Sequence, residues 1–182
     1  MRIVSGTYRS KRIPVPAHFK ARPTTDYAKE SLFNIIANYF DFEKLTVLDL
    51  FAGTGSISLE FASRGAPSIE LVEIEKKYTD FIQKTINRLG MEKVRVIRSD
   101  ALHFIRNPVT RYDIIFADPP YGMKGIENLP AEIFDNELLN KNGWLILEHG
   151  QQYDFKDHPC FFDKRRYGSV HFSIFVNTLK AG

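Results

Sequence analysis

From about residue 45 onward, short apolar runs alternate with segments whose apolar residues recur at helical spacing. Thr46–Phe51, Ile69–Ile74, Val94–Ile97 and Ile114–Ala117 are near-continuous in apolar character, as expected of strands covered on both faces of a parallel sheet. Ser56–Arg64, Glu75–Leu89 and Leu129–Leu139 carry the helical spacing. Strand, helix and strand in this order predict right-handed crossovers and a doubly wound α/β fold. Trp144–Glu148 reads as a fifth strand. Further on, Val170, Phe172, Ile174 and Val176 alternate with His171, Ser173, Phe175 and Asn177, and no useful helix separates this run from Phe161 and Phe162. An antiparallel hairpin around Arg165–Gly168 is therefore expected to close the sheet. Ahead of the core, Tyr27–Phe40 predicts a helix with Leu32, Ile35, Ile36 and Tyr39 on one face. Residues 1–21 read as an irregular or hairpin-like extension, broken by Pro14 and Pro16.

A chain of 182 residues suits one domain, here a basic extension over residues 1–25 and a catalytic core over 26–182. No apolar run approaches the roughly 18–20 residues that span a bilayer, and the opening MRIVSGTYRS lacks the apolar stretch of a secretory signal. The single cysteine, Cys160, allows no internal disulfide and reads as a packing residue. These features point to the cytoplasm and to no membrane partner. The five histidines show no metal-ligand spacing, so no metal site is expected. Net charge is only +3, but Arg2, Arg9, Lys11, Arg12, Lys20 and Arg22 all fall in the first 25 residues, which hold no acid. A basic arm on a slightly acidic body suits a phosphate-backbone ligand, and a solvated surface would look the same from charge alone.

Candidate chemistry lies at the ends of the apolar runs. Asp49-Leu50-Phe51-Ala52-Gly53-Thr54-Gly55 closes the first strand and leads into a helix. Its glycines allow a sharp turn and a close ligand approach, and the helix start presents free N–H groups at the edge where open α/β sheets bind ligands. The third glycine of a dinucleotide fingerprint is absent, Ser58 standing in its place. An acid, three residues and Gly-x-Gly look instead like the first motif of class I methyltransferases. Glu73 lies 18 residues past Gly55, the interval at which an acid can accept from ribose hydroxyls, and Asp100 follows the third strand where it could accept from an adenine amine. Singly, each acid is more readily a helix cap. Three successive strands ending in acids point to an adenosine site that Ala52, Thr54, Ile74 and Ala101 also border.

Asp118-Pro119-Pro120-Tyr121 follows the fourth strand. Two prolines fix the backbone and remove two donors, leaving a rigid strip of acceptors beside an aromatic ring. Acceptors from Asp118 and the Pro119 carbonyl can hold both protons of a ring-conjugated amine and turn its nitrogen toward an activated methyl group. Tyr121 would stack on the base. The expected cofactor is S-adenosylmethionine, with Asp118 bordering both cofactor and base.

Together these motifs resemble the RsmD-type guanine-N2 methyltransferases of bacterial small-subunit ribosomal RNA. The likeness runs from Met1-Arg2-Ile3-Val4 through Arg22-Pro23-Thr24-Thr25-Asp26 and Glu30-Ser31-Leu32-Phe33-Asn34, takes in Asp49–Gly55 and Asp118–Tyr121, and closes at Arg166-Tyr167-Gly168. It implies a class I, Rossmann-like fold with a seven-stranded sheet and an antiparallel C-terminal hairpin. It also implies N2-methylation of one guanine in a 16S rRNA hairpin loop near the ribosomal P site; free RNA or a 30S particle is the expected partner, and a monomer the expected state. By the same resemblance, Arg22 or Thr24 meets the methionine end of the cofactor. Ser5 and Ser10 stand where the family usually has glycines, and Tyr27-Ala28-Lys29 replaces a more basic stretch. Candidate RNA contacts are Arg2, Arg9, Lys11, Arg12, Arg165 and Arg166. Two readings compete: adenine-N6 methylation of DNA, which the same tetrapeptide would serve, and a non-catalytic RNA-binding module, which the intact tetrapeptide argues against.

Overall fold

The computed structural model describes residues 1–19 and 24–178. Its helices are α1 (Asp26–Ala37), α2 (Ser56–Ser63), α3 (Lys76–Leu89), α4 (Ala101–Ile105) and α5 (Leu129–Asp135). Its strands are β1 (Thr46–Leu50), β2 (Ser68–Glu73), β3 (Val94–Arg98), β4 (Tyr112–Ala117), β5 (Leu139–His149), β6 (Phe161–Tyr167) and β7 (Val170–Val176). The strands form one sheet in the order β3-β2-β1-β4-β5-β7-β6. The first five run parallel, and β7 is antiparallel to both its neighbours. The expected doubly wound α/β fold with a closing antiparallel hairpin is the one adopted.

Alternation along each strand divides the core. Val47, Leu71, Ile114, Phe116, Ile146 and Phe172 pack on one face against α1, α2 and α3 through Leu32, Phe33, Leu59, Phe61 and Ile82. Leu48, Leu50, Ile115, Ala117, Leu147 and Phe175 pack on the other against Ile105 of α4 and Leu129 and Ile133 of α5. Both faces of the inner strands β1 and β4 are buried, which explains why they read as unbroken apolar runs.

The N-terminal arm joins this core. Ile3 and Ile13 are 2% exposed and belong to the α1–α3 layer, and Arg2 bridges Arg12 in a minimal antiparallel pairing. Glu60 of α2, itself fully buried, holds the arm. Its oxygens accept from the backbone N–H groups of Val4 (2.8 Å) and Ser5 (2.9 Å) and face Arg64 Nε (3.0 Å) and Lys29 Nζ (3.6 Å). Gly6 is the one residue that fits where the arm crosses α2, since a Cβ there would stand 1.9 Å from the Ser63 carbonyl oxygen.

Several boundaries differ from the sequence expectation. Helix α1 spans Asp26–Ala37 and buries Ala28, Lys29, Leu32, Phe33 and Ile36, while Tyr39 beyond it is 59% exposed. The charge on Lys29 hides this stripe, because the ion pair with Glu60 that permits its burial is not local in sequence. The segment Leu129–Leu139 is helical only to Asp135. Leu138 and Leu139 are buried because Leu139 opens β5 opposite Tyr112, and helical spacing alone does not separate the two cases. Strand β5 begins at Leu139 rather than Trp144, with an irregularity near the left-handed Asn142 before the pairing with β4 resumes at Trp144. The hairpin turn lies at Gly168-Ser169, so Arg165 and Arg166 sit within β6 and not in the turn. Helix α4 has only five residues, too few to leave a periodic signal.

Candidate active site

The parallel strands β1 to β5 all present their carboxyl ends at one edge, and the motif residues collect there. After β1 the chain turns through Phe51, Gly53 and Gly55, all with positive φ (+61°, +54° and +75°). A left-handed phenylalanine is strained by about 1–3 kcal/mol, the kind of strain retained at functional loops. Three contacts over-determine the loop. Ala52 N–H donates to the Val72 carbonyl (3.0 Å), Gly55 N–H to the Ala52 carbonyl (2.8 Å), and Gly53 N–H to Glu73 Oε2 (2.8 Å). The other Glu73 oxygen accepts from Glu75 N–H at 2.8 Å. Glu73 thus ties the loop to β2, and a carboxylate with two lone-pair positions still open can serve a ligand as well. Beside it Ile74 is 57% exposed, an apolar face on the rim.

Asp49 lies behind the loop, 1% exposed. Its Oδ2 accepts from both N–H (3.1 Å) and Oγ (2.6 Å) of Ser58, so it caps the start of α2 from the neighbouring strand. Asp100 likewise caps α4 by accepting from His103 N–H at 2.8 Å. Capping is therefore a real part of what these two strand-end acids do. Thr54 is buried within the loop and Ala101 within the core. Arg22 lies outside the described residues.

The tetrapeptide leaves β4 next to β1, where Asp118 N–H reaches the Leu50 carbonyl at 3.5 Å. Asp118 is partly buried and Pro119 fully so, while Pro120 is exposed and Tyr121 is 95% exposed, its ring standing in solvent at the mouth of the site. The Pro120 carbonyl accepts from Met123 N–H at 2.9 Å, which leaves the Asp118 carboxyl and the Pro119 carbonyl as the strip's acceptors.

One residue of this edge belongs to no motif in the sequence. Glu148 ends the apolar run of β5, and the register that pairs Ala117 with Leu147 makes Asp118 and Glu148 the next facing positions. Thr24, just ahead of α1, donates through Oγ1 to Glu148 Oε2 at 3.4 Å, which brings Thr24 to the site. The signal that finds it is the one shared by the other strands, an acid closing an apolar run.

The carboxyls influence one another. Burial raises Asp49 to about 7, against the Ser58 bonds and helped by the charges of Asp118 and Glu73. Burial raises Asp118 to about 6, and burial together with the charge of Asp118 raises Glu148 to about 8. Each acid is therefore protonated more readily in the fold than in the unfolded chain, and its contribution to stability is lost as pH rises through its folded value. Replacing Asp118 by Asn removes that penalty. The melting temperature of Asp118→Asn minus that of the parent protein should rise from about pH 4, where the unfolded carboxyl ionises, to about pH 6, where the folded one does, and level off above. A difference that is flat or falling over this window would contradict the assigned burial.

The candidate RNA contacts fall in three places. Arg2 sits near the site, paired with Asp26 at 2.9 Å, and its carbonyl accepts from Lys29 Nζ, which also meets Ser56 Oγ at the start of α2. Arg12 faces Arg2 across the bridge. Arg9 and Lys11 lie at the opposite end of the helices. Residues 7 and 8 bond Ser63 at the end of α2, and Tyr8 Oη donates to the Leu89 carbonyl at the end of α3. Arg165 pairs with Asp163 at 2.6 Å, and Arg166 Nε donates to the Gly168 carbonyl at 3.0 Å.

Comparison with known proteins agrees with this architecture. The sequence profile of the family described as conserved hypothetical protein 95 matches residues 1–176. The chain is 32% identical over 181 residues to ribosomal RNA small subunit methyltransferase D of Buchnera aphidicola subsp. Baizongia pistaciae, covering 97% of this chain and 92% of that protein. It is 34% identical over 148 residues to ribosomal RNA small subunit methyltransferase D of Escherichia coli K12, covering 81% and 71%. A solved structure from Escherichia coli, yhhF, described as a candidate methyltransferase, superposes with a TM-score of 0.87 at 26% identity over 99% of both chains.

Proposed function

Because the chain belongs to the RsmD-type family described as conserved hypothetical protein 95, we propose that it transfers a methyl group from S-adenosylmethionine to the exocyclic N2 of a guanine in 16S rRNA, in the cytoplasm. The observation that carries this reading is the pairing of a strained glycine loop with Asp118-Pro119-Pro120-Tyr121 on adjacent strand ends.

The residues present fit the cofactor. Burial makes Asp49, Asp118 and Glu148 hold their protons unusually well, and the positive sulfonium of a ligand bound at this edge would draw them toward the ionised form. The loop Ala52–Gly55 would hold the methionine portion with Thr24 and, by the family resemblance, Arg22. Glu73 would accept from the ribose hydroxyls and Ile74 would lie under the adenine, with Asp100 and Ala101 at its far edge. The bound cofactor supplies an electrophilic methyl with a good leaving group, so the protein's task is to position the nucleophile.

An amine conjugated to a base ring is a weak nucleophile. Asp118 and the Pro119 carbonyl accept hydrogen bonds from its two N–H groups, take its lone pair out of conjugation with the ring and stabilise the positive charge that develops on nitrogen; S-adenosylhomocysteine leaves as a neutral thioether and the surplus proton passes to the Asp118 carboxylate. Tyr121, free in solvent, stacks on the base and fixes its plane. Bringing a base out of a duplex costs a few kcal/mol, and less from an unpaired loop, which favours a hairpin loop over continuous duplex DNA.

Incubation with labelled S-adenosylmethionine and either unmethylated 30S subunits, naked 16S rRNA or duplex DNA tests the proposal. Label is expected at a guanine N2 in rRNA by mass-spectrometric mapping. Label on DNA and never on rRNA would overturn it. Neutralising Arg9, Lys11 and Arg12, which form no ion pair among the described residues, should flatten the salt dependence of binding by roughly 0.7–0.9 in log-log slope for each phosphate no longer neutralised. Since Arg9 and Lys11 lie about 12–20 Å from the site, a helix length away, the weakening should be larger for the assembled particle than for a short hairpin.

A further inference from the structure

The strand order sets Glu148 apart from the other acids of the edge. Glu73 lies on β2 and Asp49 on β1, on the cofactor loop's side of β4, whereas Glu148 lies on β5, one strand beyond Asp118 and away from that loop. Phe116 and Ile146 both face the α1–α3 layer, so two residues on, the alternation of each strand turns Asp118 and Glu148 to that same face. Among the described residues only Thr24 donates to Glu148, and at 3.4 Å that bond is long. A carboxylate offers about four acceptor positions, so most of the capacity of Glu148 is open toward the space that Asp118 also faces.

Two acceptors on neighbouring strand ends select a ligand with two neighbouring donors. On the Watson–Crick edges of adenine and cytosine the exocyclic amine stands beside a ring nitrogen that carries a lone pair. Guanine alone among the common amino bases puts a ring N–H, at N1, next to its exocyclic amine. A carboxylate facing the lone pair of adenine or cytosine would be both unsatisfied and repelled.

We infer that Glu148 is a specificity-determining residue that accepts from N1–H of the target guanine while Asp118 and the Pro119 carbonyl hold the N2 amine. The inference rests on the reading of the tetrapeptide as the base-amine site and explains how acceptors suited to any conjugated amine become selective for guanine. Thr24 then acts as a positioning residue, orienting Glu148 through its hydroxyl. Neighbouring strand ends thus divide the work, the amine falling to β4 and the ring edge to β5.

The test replaces the target guanine of a hairpin RNA with 2-aminopurine, which keeps the 2-amine but has a lone pair at N1. The parent protein should prefer the guanine RNA by about 10²-fold or more in kcat/KM, since a site built to accept a hydrogen bond rejects an analogue that lacks the donor. With the cofactor's positive sulfonium bound beside Asp118, Glu148 is held as the carboxylate, an all-acceptor group, and Glu148→Gln turns it into one that can also donate. Its transfer to guanine should fall about 10²-fold, and its preference over 2-aminopurine should collapse to within about tenfold, with affinity for S-adenosylhomocysteine kept. Equal transfer by the parent protein to the two RNAs would overturn the inference without any variant. So would a Glu148→Gln protein that folds and keeps the parent's preference. No transfer by the parent protein to guanine RNA, with no cofactor binding, would instead overturn the proposed function itself.

Discussion

Asp118→Ala is expected to lower kcat for methyl transfer by about 10²–10³-fold while changing affinity for S-adenosylhomocysteine by no more than a few-fold. The magnitude is that of removing one preorganised hydrogen-bonding group directed at charge that develops during the reaction. Asp118 is rigidly delivered, its N–H tied to Leu50 and its successors two prolines, so a water occupying the truncated side chain's place has no such pre-set geometry. Cofactor affinity is spared because the loop over residues 52–55 is shaped by Glu73, Asp49 and backbone bonds that do not involve the Asp118 side chain. The measurement is single-turnover transfer to 16S rRNA beside a binding titration. A variant that retains near-parental kcat would remove Asp118 from the chemistry, and one that loses both properties together would make its role structural.

Glu60→Ala is expected to destabilise the protein by about 3–5 kcal/mol, a loss of about 10 °C or more in melting temperature for a chain of this size. Glu60 is fully buried and joins two cations, Lys29 and Arg64, to two backbone donors, Val4 and Ser5. Removing it strands a lysine that is 1% exposed, whose pKa burial already lowers against the opposing charges of Glu60 and Asp26. It also releases the arm from α2, and Ile3 and Ile13 leave the core with it. Because Lys29 Nζ also meets Ser56 Oγ beside the glycine loop, cofactor affinity should weaken along with stability. Thermal melts beside the same titration measure both effects. Glu60→Gln should fall between parent and alanine variant, since an amide oxygen can still accept from the arm's backbone. A stability loss under about 1 kcal/mol for Glu60→Ala would show that the arm is held by its apolar contacts alone.

The legible parts of this protein are those whose physics is local. Buried strands announce themselves as unbroken apolar runs, the glycine loop by backbone conformations that few other residues adopt, and Asp118–Tyr121 by rigidity and missing donors within four residues. Local patterning misleads where burial is licensed from far away in sequence. Lys29 looks like a polar position because its partners Glu60 and the Arg2 carbonyl lie 31 and 27 residues distant. Leu138 and Leu139 extend a helical pattern because nothing nearby marks the strand partner that begins at Tyr112. The basic arm resembles one patch in sequence, yet the fold divides it between the two ends of the helices.

Residue spacing and backbone freedom over a few positions are thus enough to specify the α/β class, the parallel core with its closing hairpin, the glycine loop and the acceptor strip. Which strand ends stand side by side is a different matter, settled by long-range packing on both faces of the sheet and invisible to any short window of the chain. That packing makes Glu148, in sequence one more acid ending a strand, a neighbour of Asp118, and makes Asp49 the cap of a helix it precedes.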